Sequence, residues 1–151
     1  MAVDRQSGKG KFLAAMNRGF GRMHIGLYRL SGGRIGGTTA GVKVLLLTVS
    51  GRKTGKARTA PVIYWERDGE YVVSASAAGT WVPAWYRNLQ ANPACSVQVG
   101  RDRVAAIAHL ADEAKSRELW KVTESLNKRF QSYVAKAPGE IPMVVLRRAA
   151  D

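Results

Sequence analysis

Several strands of this chain follow one another closely enough to pair as hairpins. Two β-branched, apolar runs, VKVLLLTVS (Val42–Ser50) and RTAPVIYW (Arg58–Trp65), are separated by a short cationic segment that begins GRKTGK (Gly51–Lys56). A parallel pairing would need a crossover of about a dozen residues or more, so the two runs read as an antiparallel hairpin. Asp68-Gly69, a dipeptide suited to tight turns with positive φ, leads into EYVVSAS (Glu70–Ser76). A further pair, Cys95–Val99 and Arg103–Leu110, flanks Gly100-Arg101-Asp102, and IPMVVLRR (Ile141–Arg148) reads as a last strand. Hairpin-linked strands with few, segregated helices predict a mainly β chain with peripheral helices (α+β). A small antiparallel barrel is expected, not a doubly wound sheet.

The helical segments are fewer. Between Lys11 and Leu30, the residues Phe12, Met16, Phe20, Met23 and Leu27 fall on one face, and Arg18, Arg22 and Arg29 on another. Gly19, Gly21 and Gly26 each weaken this helix by up to about 1 kcal/mol relative to alanine, so it needs a surface to lie on. Two surfaces suit it: the rest of the domain, and a membrane interface, to which a basic amphipathic helix is adapted. Ser31–Gly41 is a glycine-rich connector. Residues 1–41 are therefore expected to form the helix and connector, and 42–151 the barrel, within one structural domain. A short helix is predicted from Pro83 to the Asn92-Pro93 stop. Asp112 is placed to cap a long helix to about Lys136, with Leu119, Val122, Leu126, Phe130 and Tyr133 along its stripe.

Composition narrows the function. At 151 residues, 46% hydrophobic and 23% charged, the chain can bury a proper core. Its net charge of +13 favours an anionic partner: nucleic acid, a membrane surface, or a multiply charged small molecule. One cysteine, Cys95, excludes an internal disulfide and a C-x-x-C metal site. No apolar run approaches the ~20 residues that span a bilayer, and the first residues lack a signal peptide's apolar region, so the cytoplasm is the expected compartment.

GRKTGK looks like part of a nucleotide-binding loop but fails the test. The G-x-x-x-x-G-K-[ST] pattern would need glycine at Ser50, Ser or Thr at Ala57, and a helix after it. The next element is a strand. The segment is thus a cationic hairpin loop, able to aim N–H groups and guanidinium forks at an anion. Elsewhere, reactive groups are scarce. His24 and His109 have no nucleophile motif or metal-ligand neighbour, and Cys95 reads as a buried, inert thiol. No metal site is expected. An enzyme built from these residues would take its reactivity from a bound cofactor.

LLLTVSGRKTGKARTAPVIYWERDGEYVVSASAAG, then PAWYRNLQANP, then IPMVVL, resembles the deazaflavin-dependent nitroreductase family over approximately Val42–Leu146. The resemblance implies a split β-barrel of the flavin-reductase and pyridoxamine-oxidase kind that binds reduced coenzyme F420. FMN is the alternative cofactor, since the broader barrel class uses several. It implies that Arg52, Lys53, Thr54 and Arg58 hold the coenzyme's phosphodiester and glutamate tail. Pro61, Ser74, Ser76, Ala77, Ala78 and Gly79 would line the deazaflavin, with Trp85 and Asn88 near it on the short helix. The competing reading of Trp85 is packing, since Trp81, Trp85 and Leu89 recur at i, i+4 and i+8. Phe130 and Tyr133 would cover the substrate pocket, with packing again the rival. Tyr133 and Ser76 are the candidates for substrate orientation or proton donation. Relatives often carry Lys or Asn where this chain has Ala77, so that contact is lost or passes to Lys43, Lys56 or another cation.

The expected activity is hydride transfer from reduced F420 to a quinone, nitroaromatic or conjugated enone. The partners are the coenzyme and a hydrophobic acceptor, with peripheral contact to the inner face of the cell membrane and a homodimer as further expectations. No nucleic acid is expected. The rival readings are a non-catalytic F420 carrier and a basic barrel that binds single-stranded nucleic acid, for which the chain has no recognisable signature.

Overall fold

A computed structural model describes residues 22–34, 37–39, 42–75, 82–126 and 141–149. Within them, helix α1 covers 22–31. Next come β1 (Thr38–Thr39), β2 (Val42–Ser50), β3 (Ala57–Arg67) and β4 (Glu70–Ser74), then α2 (Ala84–Ala91), β5 (Ala94–Val99), β6 (Asp102–Leu110), α3 (Glu113–Leu126) and β7 (Met143–Arg148). The sheet order is β1-β2-β3-β4-β7-β6-β5, and β2 also pairs with β5. That last pairing closes six antiparallel strands into a barrel, with β1 appended to β2. This is the small antiparallel split barrel that the hairpins imply, and closure leaves its strands few open edges.

Local chemistry explains the turns. Asp68 and Gly69 both take positive φ, 54° and 77°, the combination that lets β3 turn directly into β4. Asp112 caps α3: its side-chain Oδ1 accepts the Lys115 N–H at 2.8 Å. Pro83 is the N-cap of α2, one position earlier than a first helical residue, and Asn92 is the C-cap. Pro61, opposite Leu46 in the β2–β3 register, is tolerated because β4 pairs with β3 only from Tyr64 to Arg67.

Two cores share the barrel wall. Inside lie alternate residues of every barrel strand, among them Leu45, Leu47, Tyr64, Val73, Val97 and Leu146. Tyr64 meets Tyr71 edge-on at 5.4 Å between ring centroids. Outside, Val72, Met143, Ile141 and Leu119 form a second cluster that seats α3 on the barrel.

The buried face of α3 differs from the expected one. Ser116, Leu119 and Thr123 are buried, whereas Leu126 is 57% exposed and Val122 is half-buried. Hydroxyls rotate the stripe. Ser116 Oγ accepts the Met143 N–H at 3.1 Å, and Thr123 Oγ1 accepts the Trp65 indole N–H at 2.9 Å. Each hydroxyl takes a strand donor that an alkyl group would leave unpaired. The expected continuation to Lys136, with Phe130 and Tyr133, lies outside the described residues.

α1 ends near Leu30 as expected, but its apolar stripe faces outward. Met23, Leu27 and Leu30 are 55%, 39% and 87% exposed. The helix is held instead by Tyr28, which is buried. Its hydroxyl accepts the Gly100 N–H at 2.9 Å and donates to the Gln98 carbonyl at 3.3 Å. Phe12, Met16 and Phe20 lie outside the described residues.

Candidate functional site

The loop between β2 and β3 is a built structure. Gly51 N–H donates to the Lys56 carbonyl at 2.8 Å, and Gly55 N–H donates to the Gly51 carbonyl at 2.7 Å. Thr54 Oγ1 accepts the Lys56 N–H at 3.2 Å. Gly55 has φ +72°, a conformation that favours glycine. These bonds fix the backbone from which Arg52, Lys53 and Arg58 project.

α2 completes the site. Trp85, Asn88 and Leu89 form its buried face, so Trp85 and Asn88 do share one side of the helix. Asn88 Oδ1 accepts two hydrogen bonds from Arg52, from the backbone N–H at 3.1 Å and from Nη1 at 2.9 Å. The acceptor is an uncharged amide. Arg52 is therefore held in place without being neutralised.

Arg52, Lys53, Thr54, Arg58, Trp85 and Asn88 line one cleft of about 500 Å³. Trp85 also belongs to the interior core, so its packing and cleft-lining roles coexist. Sequence reasoning missed Thr59, Ala60 and Ala84, which line it too, together with Gly51 at the start of the loop. A signal for them exists in position alone: two come directly after Arg58 on β3, and Ala84 lies four residues before Asn88.

The cleft is cationic by selective pairing. Arg67, Lys115, Arg117 and Arg147 each meet a carboxylate. Among the described residues, no carboxylate pairs with Arg52, Lys53, Lys56 or Arg58. An anionic group would meet cations whose charge is not already satisfied, which is the donor set that a phosphodiester and carboxylate tail needs.

Ser74 lies elsewhere. It lines a second cavity of about 350 Å³ on the outer barrel wall beside α3, floored by Ile63, Trp65, Val72 and Met143. Lys43 and Glu66 also line it, and Tyr64 reaches it. Burial foremost, then the Glu66 carboxylate, pushes the Tyr64 phenol up to about 12. Pro61 lines neither cavity, although its strand neighbours Ala60 and Ile63 line one each. Ser76, Ala77, Ala78, Gly79, Phe130 and Tyr133 lie outside the described residues.

The remaining reactive groups stand apart from the cleft. Cys95 is half-buried, its thiol donates to the Ala106 carbonyl, and burial pushes it up to about 11. Among the described residues, no group of three His, Cys, Asp or Glu side chains is placed to hold a metal ion.

Comparison with known proteins is specific. The family described as F420H(2)-dependent quinone reductase matches residues 20–148. An F420H(2)-dependent quinone reductase of Mycobacterium tuberculosis is 38% identical over 136 residues, covering 84% of this chain and 89% of the relative. Among solved structures, an F420-H2 dependent reductase superposes with a TM-score of 0.62 at 30% identity, covering 69% of this chain and 93% of that one. A protein solved as a domain-swapped dimer gives 0.63 at 28% identity, with 83% and 95% coverage.

Proposed function

The chain belongs to the F420H(2)-dependent quinone reductase family, and from that membership and its cationic cleft we infer that it is an oxidoreductase that draws on coenzyme F420 to reduce quinones. One observation carries the reading for this chain's own residues. Arg52, clamped on Asn88, shares a cleft with Lys53 and Arg58, and none of the three has a carboxylate partner among the described residues. We assign the coenzyme's phosphodiester and the first glutamate of its acidic tail to these cations, with Thr54 beside them. When bound, the coenzyme supplies the hydride, carried at C5 of its deazaflavin ring.

The chain's own contribution is orientation and exclusion of water. Hydride transfer demands near-contact of donor and acceptor, and an apolar wall excludes the water that would separate them. The second cavity offers such a wall, with Ser74 on its rim. We place the ring and the acceptor on that side, with Ser76, Ala77, Ala78, Gly79 and Pro61 as further ring neighbours. Phe130 and Tyr133 would cover the acceptor, and Ser76 and Tyr133 would orient it or donate a proton. Lys43 brings to this cavity a cation that can serve where relatives carry Lys after the serine. Nitroaromatic and conjugated enone acceptors fall within the same proposal.

The surroundings of the enzyme belong to the proposal as well. The outward stripe of Met23, Leu27 and Leu30, with Arg22 and Arg29 on the same helix, supports peripheral contact with an anionic membrane. No helix among the described residues is long and apolar enough to cross a membrane. Assembly as a homodimer is supported by the likeness to the domain-swapped structure. Fluorescence titration with F420, followed by turnover of the reduced coenzyme with a quinone, tests the central reading. Binding without hydride transfer would leave a carrier. The absence of binding would remove both.

A further inference from the structure

The cationic cleft continues onto a helix that the hairpin motif does not include. Arg29 of α1 donates from Nη2 to Thr59 Oγ1 at 3.4 Å, and Thr59 lines the cleft. The Thr59 hydroxyl is also hydrogen-bonded to that of Thr48 at 2.8 Å. Arg29 is thus placed at the cleft margin by a neutral group, as Arg52 is placed by Asn88. Among the described residues it has no carboxylate partner.

The helix that carries Arg29 is tied down. Its next-door residue Tyr28 is buried and bonded to the β5–β6 hairpin at Gln98 and Gly100. Gly33 N–H also donates to the Tyr28 carbonyl at 2.8 Å. Arg22 lies on the same helix edge as Arg29, about 10 Å further along the axis at the standard rise per residue. The basic surface therefore runs from the hairpin loop, past Thr59, onto α1.

We propose that Arg29 is a specificity-determining residue that extends the cleft and makes it discriminate coenzyme molecules by the length of their acidic tail. This role rests on the cofactor assignment proposed for the cleft. Arg52, Lys53 and Arg58 take the phosphodiester and the first carboxylates, which every form of the coenzyme carries. Later glutamates extend beyond these cations, and Arg29, hydrogen-bonded to the cleft-lining Thr59, offers them a charge at the cleft margin. An exposed ion pair is weak and screened by salt, so the discrimination is modest and electrostatic.

The test is a fluorescence titration of oxidised F420 carrying either a single glutamate or about five. Wild-type protein and Arg29→Gln are compared at low salt. Wild type should bind the long-tailed form up to about fivefold more tightly, the upper range for an exposed ion pair. Arg29→Gln should bind both forms alike, with its short-tail affinity unchanged, and Arg29→Lys should retain part of the preference. About 0.5 M salt should erase the wild-type preference. A preference that survives in Arg29→Gln, or an equal weakening of both forms, overturns the assignment and leaves the cofactor reading standing. Failure of wild type to bind either form overturns the cofactor reading, and this inference with it.

Discussion

The side-chain oxygen of Asn88 accepts both the backbone N–H and the guanidinium Nη1 of Arg52, at 3.1 and 2.9 Å. One buried amide therefore sets the path of the cationic loop and the aim of its first arginine. Replacing Asn88 with Ala would leave both donors without this acceptor, at a cost of about 1–3 kcal/mol in stability. Thermal unfolding should show that loss, and F420 affinity should fall with it. Asn88→Asp is more informative, since it keeps the acceptor but neutralises the arginine. It should fold, yet raise the coenzyme Kd by about tenfold or more. Wild-type affinity in Asn88→Asp would mean that Arg52 does not face the anion.

Charge removal at the cleft gives the largest expected effect. Arg52→Gln combined with Arg58→Gln deletes two charge-assisted contacts, each of about 1.5–3 kcal/mol. The Kd for F420 should rise by a factor of about 100 or more, with a shallower dependence on salt. Circular dichroism should stay unchanged, because both side chains are exposed. An unchanged Kd would separate this cleft from the coenzyme.

The outward face of α1 predicts membrane behaviour. Met23→Ser, Leu27→Ser and Leu30→Ser together should abolish co-sedimentation with vesicles rich in anionic lipid, and leave F420 affinity near the wild-type value. Equal partitioning of variant and wild type would show that this stripe does not mediate membrane contact.

Alkaline pH should weaken the fold. Burial raises the Cys95 thiol from 9.0 to about 11 and the Tyr64 phenol from 10.0 to about 12. Both groups hold their protons more tightly folded than unfolded, so their contribution is complete below about pH 9 and declines as pH rises toward 12. Urea midpoints should be level from these groups' standpoint below pH 9 and fall above it. Cys95→Ala should delay the onset, and Tyr64→Phe should flatten the part above pH 10. A midpoint that climbs over this range would contradict the sign.

Features legible in the sequence alone are local ones. Asp68-Gly69 specifies its turn and Asp112 its helix start, because both act on backbone groups two or three residues away. The hairpin-linked strands and few helices pointed to a small antiparallel barrel for the same reason, whereas its closure rests on the distant β2–β5 pairing. The trio Arg52, Lys53 and Arg58 was visible as charge on a loop. Other features emerge only on folding, because they depend on partners far along the chain. Thr123 is buried because the Trp65 indole, 58 residues away, needs its hydroxyl, and Ser116 because Met143, 27 residues away, donates to it. Asn88 meets Arg52 across 36 residues, and Arg29 meets Thr59 across 30. Helical periodicity sees apolar faces, so a buried hydroxyl reads as exposed until its distant donor is known. The separation of Ser74 from the cationic cleft has the same origin, since which wall a strand residue faces is set by barrel closure and by the helix laid against it.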